Sequence, residues 1–288
     1  MKNWCLVFVA VALTGCQSMT NLPYGKPLLN GGRPGETGIG YGYYPLDPLP
    51  LQVDSSMDKA KILKALPDET IRMAIGEVKS DGGISFGATR VGAASRSYVV
   101  IVDYMKYTTQ ILPAKISAPD KDGARTASVV QDGTAANAII PLYVGIGLRM
   151  TASIYVVSGE VDLGSLFGLG AAAKANQITG TLIVQNMGIG SKEATDLLPM
   201  PNAISDASIQ QAIISLASIK TKVYDAAEPT PRVLGIYNTL GGNQETINGV
   251  IGGILSHPID FPPKAPVAKT SSATVGRAGG AGQVNADK

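Results

Sequence analysis

The stretch Leu142–Val157, LYVGIGLRMTASIYVV, decides the fold because its apolar side chains alternate strictly with polar, small or aromatic ones. Such alternation is typical of a β-strand with one face against a core. The apolar row consists of Leu142, Val144, Ile146, Leu148, Met150, Ala152, Ile154 and Val156. At about 3.3 Å per residue the strand would span roughly 50 Å, whereas most strands have about 3–10 residues. The pattern predicts a strand that bends at Gly145 and Gly147 or belongs to an unusually long sheet.

More strands are predicted on both sides of this stretch. Ser95–Lys115 carries apolar residues on both faces, which is typical of a central strand that is covered on both sides. Pro113 near its end indicates an edge or a bend. The other predicted strands are Ile84–Gly92, Ile178–Met187, 220–225 and 232–238.

Helices are predicted before and after these strands. Residues 55–78 have an apolar helical face, and Pro67 divides them into two helical pieces. The segment Ser205–Ile219 has apolar residues spaced three and four apart, with Ser205 or Asp206 as the N-cap.

A last helix is predicted after Asn243, which would cap it. Its apolar face consists of Ile247, Ile251 and Ile254, and Gly249 and Gly253 are spaced so that another backbone can pack closely against it. Taken together, these elements predict an α+β fold, a largely antiparallel sheet with long strands flanked by a few short helices.

Composition restricts the classes of function. Charged residues make up 16% of the chain, compared with about 25% in average globular proteins, and the chain has 34 glycines. Both values favour a sheet-rich protein with tight turns. The net charge of +2 argues against nucleic acid as the partner, since a phosphate backbone requires a concentrated basic face.

The first residues form a segment of their own. Lys2 supplies a positive charge, and Trp4–Leu13 is an apolar run of ten residues. This run is too short for a membrane-spanning helix, which needs about 20 residues, but it fits the hydrophobic region of a secretory signal. It ends in Leu13-Thr14-Gly15-Cys16.

This tetrapeptide resembles the lipobox of bacterial lipoproteins. The resemblance implies cleavage before Cys16 and a diacylglyceryl group on its thiol, with further acylation, such as by palmitate, on the new amine. Gln17 follows the cysteine where an Asp would retain a lipoprotein in the inner membrane, so the resemblance favours lipid anchoring in the outer membrane. The periplasmic face of the inner membrane is the alternative. No cofactor is expected apart from this covalent lipid.

Four regions are predicted along the chain. Residues 1–15 are the signal peptide, and residues 16–54 are a tether rich in Pro, Gly and Tyr. Residues 55–261 form a single α+β domain, and residues 262–288 form a disordered low-complexity tail.

Candidate catalytic residues are few. His257 is the one histidine, and with no cysteine after Cys16 a transition-metal site is not expected. The pair Glu160 and Asp162 could act as acid and base on a sugar, but the segment has only Phe167 to line such a site. Solvated turn residues are the favoured interpretation, and the chain is predicted not to be an enzyme.

Three functions are consistent with these observations. The favoured hypothesis is a structural or interaction component of an envelope, export or surface assembly, bound to the membrane by its lipid and to a protein partner or to itself. The second is a self-assembling ring or pore that inserts a hairpin from residues 142–187, with the apolar row of Leu142–Val156 as its membrane or assembly strand. The third and weakest is a surface hydrolase.

Overall fold

The computed structural model describes residues 43–86, 91–118, 121, 125–130, 135–190, 198, 202–225, 228–237 and 244–263. The predicted signal peptide, Cys16 with the lipobox residues Leu13, Thr14 and Gly15, the tether up to residue 42 and the tail from residue 264 lie outside these residues. The predictions that fall on them stay predictions.

The described residues form fifteen strands and four helices. The strands are β1 (Tyr44–Leu49), β2 (Gln52–Val53), β3 (Asp68–Val78), β4 (Ile84–Phe86), β5 (Val91–Ala93), β6 (Ser97–Ile116), β7 (Ala127–Val129), β8 (Ala138–Val156), β9 (Glu160–Asp162), β10 (Ile178–Met187), β11 (Ile189–Gly190), β12 (Asn202–Ala203), β13 (Glu228–Pro229), β14 (Arg232–Ile236) and β15 (Asp260–Phe261). The helices are α1 (Lys59–Ala65), α2 (Leu166–Lys174), α3 (Asp206–Asp225) and α4 (Gln244–Ser256).

A nine-stranded sheet dominates the described structure, with the strand order β1-β14-β8-β6-β3-β4. Strand β10 also pairs with β8, β12 with β10, and β7 with β6. Every pairing in this sheet is antiparallel. The predicted α+β fold with a largely antiparallel sheet is therefore confirmed.

The two longest strands, β6 and β8, form the centre of the sheet. They pair without interruption from Ser97 opposite Tyr155 to Ala114 opposite Ala138. The long strand predicted from Leu142–Val157 and the central strand predicted from Ser95–Lys115 are both confirmed. Pro113 lies at the predicted edge, because the pairing of β6 with β3 stops where Tyr107 meets Asp68 and its pairing with β7 stops where Ala114 meets Val129.

The apolar row of β8 defines the face of the sheet that we call the core face. Every member of this row is buried, and Leu142, Val144, Ile146, Leu148 and Met150 have no exposed surface. Helix α3 contributes Ile209, Ala212 and Ile219 to the same core, and α4 contributes Ile247, Val250 and Ile254. Burial of these side chains, at about 25 cal/mol per Å² of apolar surface, is the main force that holds helices and sheet together.

The predicted cap of α3 and the predicted glycine contacts of α4 can be tested directly, whereas the predicted cap of α4, Asn243, lies outside the described residues. Ser205 is the N-cap of α3, since its Oγ accepts a hydrogen bond from the Ser208 amide at 3.1 Å. A β-carbon on Gly249 would overlap the Ala127 carbonyl oxygen, and one on Gly253 would overlap the Val129 side chain. The two glycines therefore allow α4 to pack closely against β7, as predicted.

Four local predictions are wrong. Asp68–Val78 is a strand rather than a helix, because it forms ten consecutive cross-strand pairs with β6. Residues 220–225 continue α3, since no Gly or Pro interrupts the helix before its end. The range Ile84–Gly92 contains parts of two strands, β4 and β5, which pair with β3 and β9 respectively. Residues 43–53 belong to the domain and not to the tether predicted over 16–54, because β1 pairs with β14.

The sheet is strongly curved. A β-carbon on Gly145 would overlap the Lys106 carbonyl oxygen, and one on Gly147 would overlap that of Tyr104, so β8 approaches β6 too closely here for any side chain. The rings of Tyr44 and Phe86 are 5.0 Å apart, although their strands lie at opposite ends of the strand order. We call the face opposite the core face the concave face.

Candidate functional site

A polar row crosses the concave face through four neighbouring strands. Arg72 of β3 stands opposite Asp103 of β6, Asp103 stands opposite Arg149 of β8, and Arg149 stands opposite Gln185 of β10. Directly opposed residues of antiparallel strands project from the same face, so the register brings these side chains together.

Asp103 and Arg149 form a buried ion pair at the centre of this row. The Arg149 side chain is 3% exposed and that of Asp103 is 0% exposed. Arg149 Nε donates to Asp103 Oδ1 at 2.8 Å, and Nη2 donates to Asp103 Oδ2 at 2.6 Å. Such a bidentate arrangement is the strongest that a guanidinium and a carboxylate can form.

The ion pair also holds the strands at the edge of the sheet. Arg149 Nη1 donates to the Leu46 carbonyl of β1 at 2.7 Å, and Nη2 donates to the Leu234 carbonyl of β14 at 3.2 Å. The Tyr43 hydroxyl donates to Asp103 Oδ2. Burial raises the pKa of Tyr43 well above its usual value, and the negative charge of Asp103 raises it further.

The hydroxyl of Tyr43 makes the stability of the fold depend on pH above pH 10. In the unfolded chain this tyrosine ionises near pH 10, whereas its raised pKa keeps it protonated in the fold, so stability falls as pH rises. We expect the free energy of unfolding, measured with urea, to fall more steeply between about pH 9.5 and 11 in the wild type than in Tyr43→Phe. Equal slopes in the two proteins would show that Tyr43 ionises as readily in the fold as in the unfolded chain.

Next to the ion pair lies a group of aromatic side chains that we call the tyrosine cluster, formed by Tyr43, Tyr107, Tyr143 and Tyr237. The Tyr143 ring lies 5.3 Å from that of Tyr43 and 5.2 Å from that of Tyr107. Tyr43 and Tyr143 are buried, whereas Tyr107 and Tyr237 are half-buried and reach the surface. The cluster therefore has a rigid inner part and an accessible rim.

Arg72 borders the tyrosine cluster as a half-buried cation. Its guanidinium carbon lies 5.7 Å from the centre of the Tyr143 ring, which is within the range of a cation–π interaction. Its Nε is buried and has no hydrogen-bond partner, and Arg72 forms no ion pair with the residues that the structure describes. Burial raises the pKa of Tyr143, while the charge of Arg72 lowers it.

A depression lies at the ends of β6 and β8, and the side-chain amide of Asn137 in its lining is already engaged in hydrogen bonds. Asn137 lines it and accepts a hydrogen bond from the Ile116 amide while donating to the Ile116 carbonyl, at 2.7 and 2.9 Å. Arg125 is the charged side chain of the lining. The concave face is thus the better candidate for a functional site.

The residues predicted from sequence lie elsewhere. The assembly strand residues Leu142, Val144, Ile146, Leu148, Met150, Ile154 and Val156 are all buried in the core. Glu160 and Asp162 are exposed on β9, and Asp162 Oδ1 accepts a hydrogen bond from the Gly164 amide at 2.9 Å. His257 is exposed just after α4. Within the described ranges, no group of three or more His, Cys, Asp or Glu residues could hold a metal ion.

The sequence carries a signal for the ion pair. Asp103 is the one acidic residue of the long strand β6, and Arg149 is the one charged residue of the long strand β8. A buried charge is costly unless it is paired, so two such strands in one sheet predict that the charges meet.

The chain was compared with protein families, curated proteins and solved structures. No family model, curated protein or solved structure matches the chain. In the part of the chain that the structure describes, no helix is long and apolar enough to span a bilayer.

Proposed function

We propose that the chain is a lipoprotein, attached through Cys16 to the outer membrane, that acts as an interaction component of an envelope assembly. The surface proposed to contact the partner is the rim of the tyrosine cluster together with Arg72. The observation that carries this proposal is a half-buried arginine without an ion-pair partner among the described residues, next to half-buried tyrosines.

The residue types of this surface support the proposal. Tyrosine and arginine are enriched at protein interfaces and among the residues that contribute most of the binding free energy. A tyrosine ring offers a large contact area with little loss of side-chain entropy on binding. Because the inner tyrosines and Arg149 are packed, the rim residues Tyr107 and Tyr237 would meet a partner from a rigid support.

The position of the surface along the chain also supports it. The tether that would lead from the lipid ends at Tyr43, which reaches the centre of the concave face through its bond to Asp103. The chain that leads towards Cys16 would therefore leave the body next to the proposed partner surface. A partner in the same membrane would be within reach of this face.

The proposal is tested by photo-crosslinking in intact cells that express the full chain. A photoreactive amino acid at Tyr237 or Tyr107 is expected to yield one abundant adduct with another envelope protein. Tyr155 is the matched control, since it is a 43% exposed tyrosine on the same strand as Tyr143 but outside the cluster. An adduct at Tyr155 with none at Tyr237 or Tyr107 would contradict the proposal, as would no adduct at any of the three.

The lipid attachment is tested separately by Cys16→Ser. This variant is expected to accumulate as an unprocessed precursor without lipid label, and the adduct at Tyr237 should decline if the anchor brings the partner within reach. Normal processing of Cys16→Ser would refute the lipoprotein assignment.

A ring or pore is the second candidate, and the packing of the predicted hairpin makes it less favourable. Strands β8 and β10 do form a hairpin, with ten cross-strand pairs, but the apolar row of β8 lies in the core. Insertion into a bilayer would first require this row to leave the core. A native mass in detergent that is a multiple of the monomer mass would favour the ring.

A surface hydrolase is the weakest candidate. Glu160 and Asp162 are solvent-exposed, and an acid–base pair usually lies in a site that shifts its pKa values. Replacing both residues by amides should leave every cellular phenotype unchanged.

A further inference from the structure

The charges of the polar row formed by Arg72, Asp103, Arg149 and Gln185 are out of balance at Arg72. Asp103 stands directly opposite Arg72, but its Oδ1 accepts from Arg149 Nε and its Oδ2 accepts from Arg149 Nη2 and Tyr43. The carboxylate that could neutralise Arg72 is therefore already engaged. Two arginines and one aspartate leave one surplus positive charge on this row.

A half-buried cation in this state favours the binding of an anion. Removing a guanidinium from water is unfavourable unless an anion or hydrogen-bond acceptors replace the water. The ring of Tyr143 contributes through its π-electrons but offers the guanidinium no in-plane acceptor. The Nε of Arg72 has no hydrogen-bond partner among the described residues, so its guanidinium lacks the acceptors that would replace water.

The geometry points to a carboxylate as that acceptor. We infer that Arg72 binds a carboxylate of an acidic segment of the partner protein, an inference that rests on the function proposed above. A planar guanidinium matches a carboxylate through two parallel hydrogen bonds. A single negative charge neutralises the surplus, whereas a phosphate dianion would place excess negative charge close to Asp103.

The surrounding tyrosines add to this recognition. Tyr107 and Tyr237 are half-buried beside Tyr143, so an extended acidic segment can pack its aliphatic carbons on their rings. The contact would thus combine one charge-assisted pair at Arg72 with apolar contacts at the rim.

The inference is tested by titrating the full mature protein, in detergent, with a hexaglutamate peptide. The sequence has one tryptophan, Trp4, which lies in the predicted signal peptide, so tyrosine fluorescence reports binding directly. Hexaglutamate is expected to change this fluorescence in a saturable way. Arg72→Gln should weaken its affinity by about tenfold or more, because the substitution removes the positive charge and the paired hydrogen bonds to the carboxylate.

Two further variants make the test specific. Arg72→Lys keeps the positive charge but lacks the planar guanidinium that can form two parallel hydrogen bonds. We therefore expect its affinity for hexaglutamate to lie between those of the wild type and Arg72→Gln. It also serves as the second variant if Arg72→Gln fails to fold. Arg96→Gln removes the same charge from an exposed pair with Glu77 and should bind hexaglutamate like the wild type.

Competing ligands decide the chemical class. Hexagalacturonate, inorganic phosphate and hexaglutamine are titrated in parallel at equal ionic strength. Equal affinity for hexagalacturonate or phosphate would overturn the assignment to an acidic peptide, and equal affinity of wild type and Arg72→Gln for hexaglutamate would overturn the role of Arg72. A further outcome is that the adduct at Tyr237 forms while wild type and Arg72→Gln bind hexaglutamate with the same affinity. In that case the inference of a carboxylate ligand fails and the proposed function stands.

Discussion

Replacing Asp103 with alanine is expected to lower the free energy of unfolding by about 3–5 kcal/mol, because it leaves Arg149 as an uncompensated buried charge. Three hydrogen bonds would be lost together, because the Asp103 carboxylate accepts two from Arg149 and one from the Tyr43 hydroxyl. The loss should appear in urea unfolding as a lower midpoint, with β1 released from the sheet before the rest.

Two comparisons separate this effect from a general effect of charge removal. Glu77→Ala breaks the exposed pair with Arg96, whose nitrogen lies 2.7 Å from the Glu77 carboxylate, and should cost about 1 kcal/mol or less. The double variant Asp103→Leu with Arg149→Met removes both charges and should be more stable than Asp103→Ala. If Asp103→Ala lowers the free energy of unfolding by no more than Glu77→Ala does, the ion pair does not hold the concave face together.

Replacing Gly147 with alanine is expected to cost at least about 3 kcal/mol, since overpacking alone costs about 1–3 kcal/mol and here the backbone itself must shift. The added β-carbon would overlap the carbonyl oxygen of Tyr104 on the neighbouring strand. Because a carbonyl in a central strand cannot move like a flexible side chain, β6 and β8 would have to separate locally. Urea unfolding measures the change.

Gly252 is the matched control for this substitution. It lies in α4 and is exposed, and a β-carbon there would have no neighbour within 4 Å. Gly252→Ala should therefore stabilise the protein by about 0.5–1 kcal/mol, as expected when alanine replaces glycine in a helix. Similar effects for the two substitutions would contradict the close approach of β8 to β6.

The central strands were predictable because their patterns are local. The period of two in Leu142–Val157 needs no knowledge of the partner strand, and its apolar row is buried as predicted. The same holds for the cap at Ser205, which depends on Ser208 three residues further along the chain.

The remaining features depend on pairing across the sequence. Asp68–Val78 has a pattern that suits either a helix or a strand, and its ten pairs with β6 decide between them. The sequence around Tyr43 predicts a tether because nothing nearby reveals its partner Asp103, which is 60 residues away. The tyrosine cluster combines residues from β6, β8 and the ends of β1 and β14, so it exists only once the register is set.

The edge strand β1 imposes an order on the assembly of the sheet. The hydroxyl of Tyr43 lies 3.5 Å from the Leu234 carbonyl, and the two residues are 191 positions apart. Because contacts of such separation form late, β1 must wait until β14 has been synthesised and paired with β8. Until then β1, at the amino-terminal end of the domain, cannot form its pairing with β14. The amino-terminal end of the domain can therefore join the sheet only after nearly all of the domain has been synthesised, so a product truncated before β14 would lack this connection.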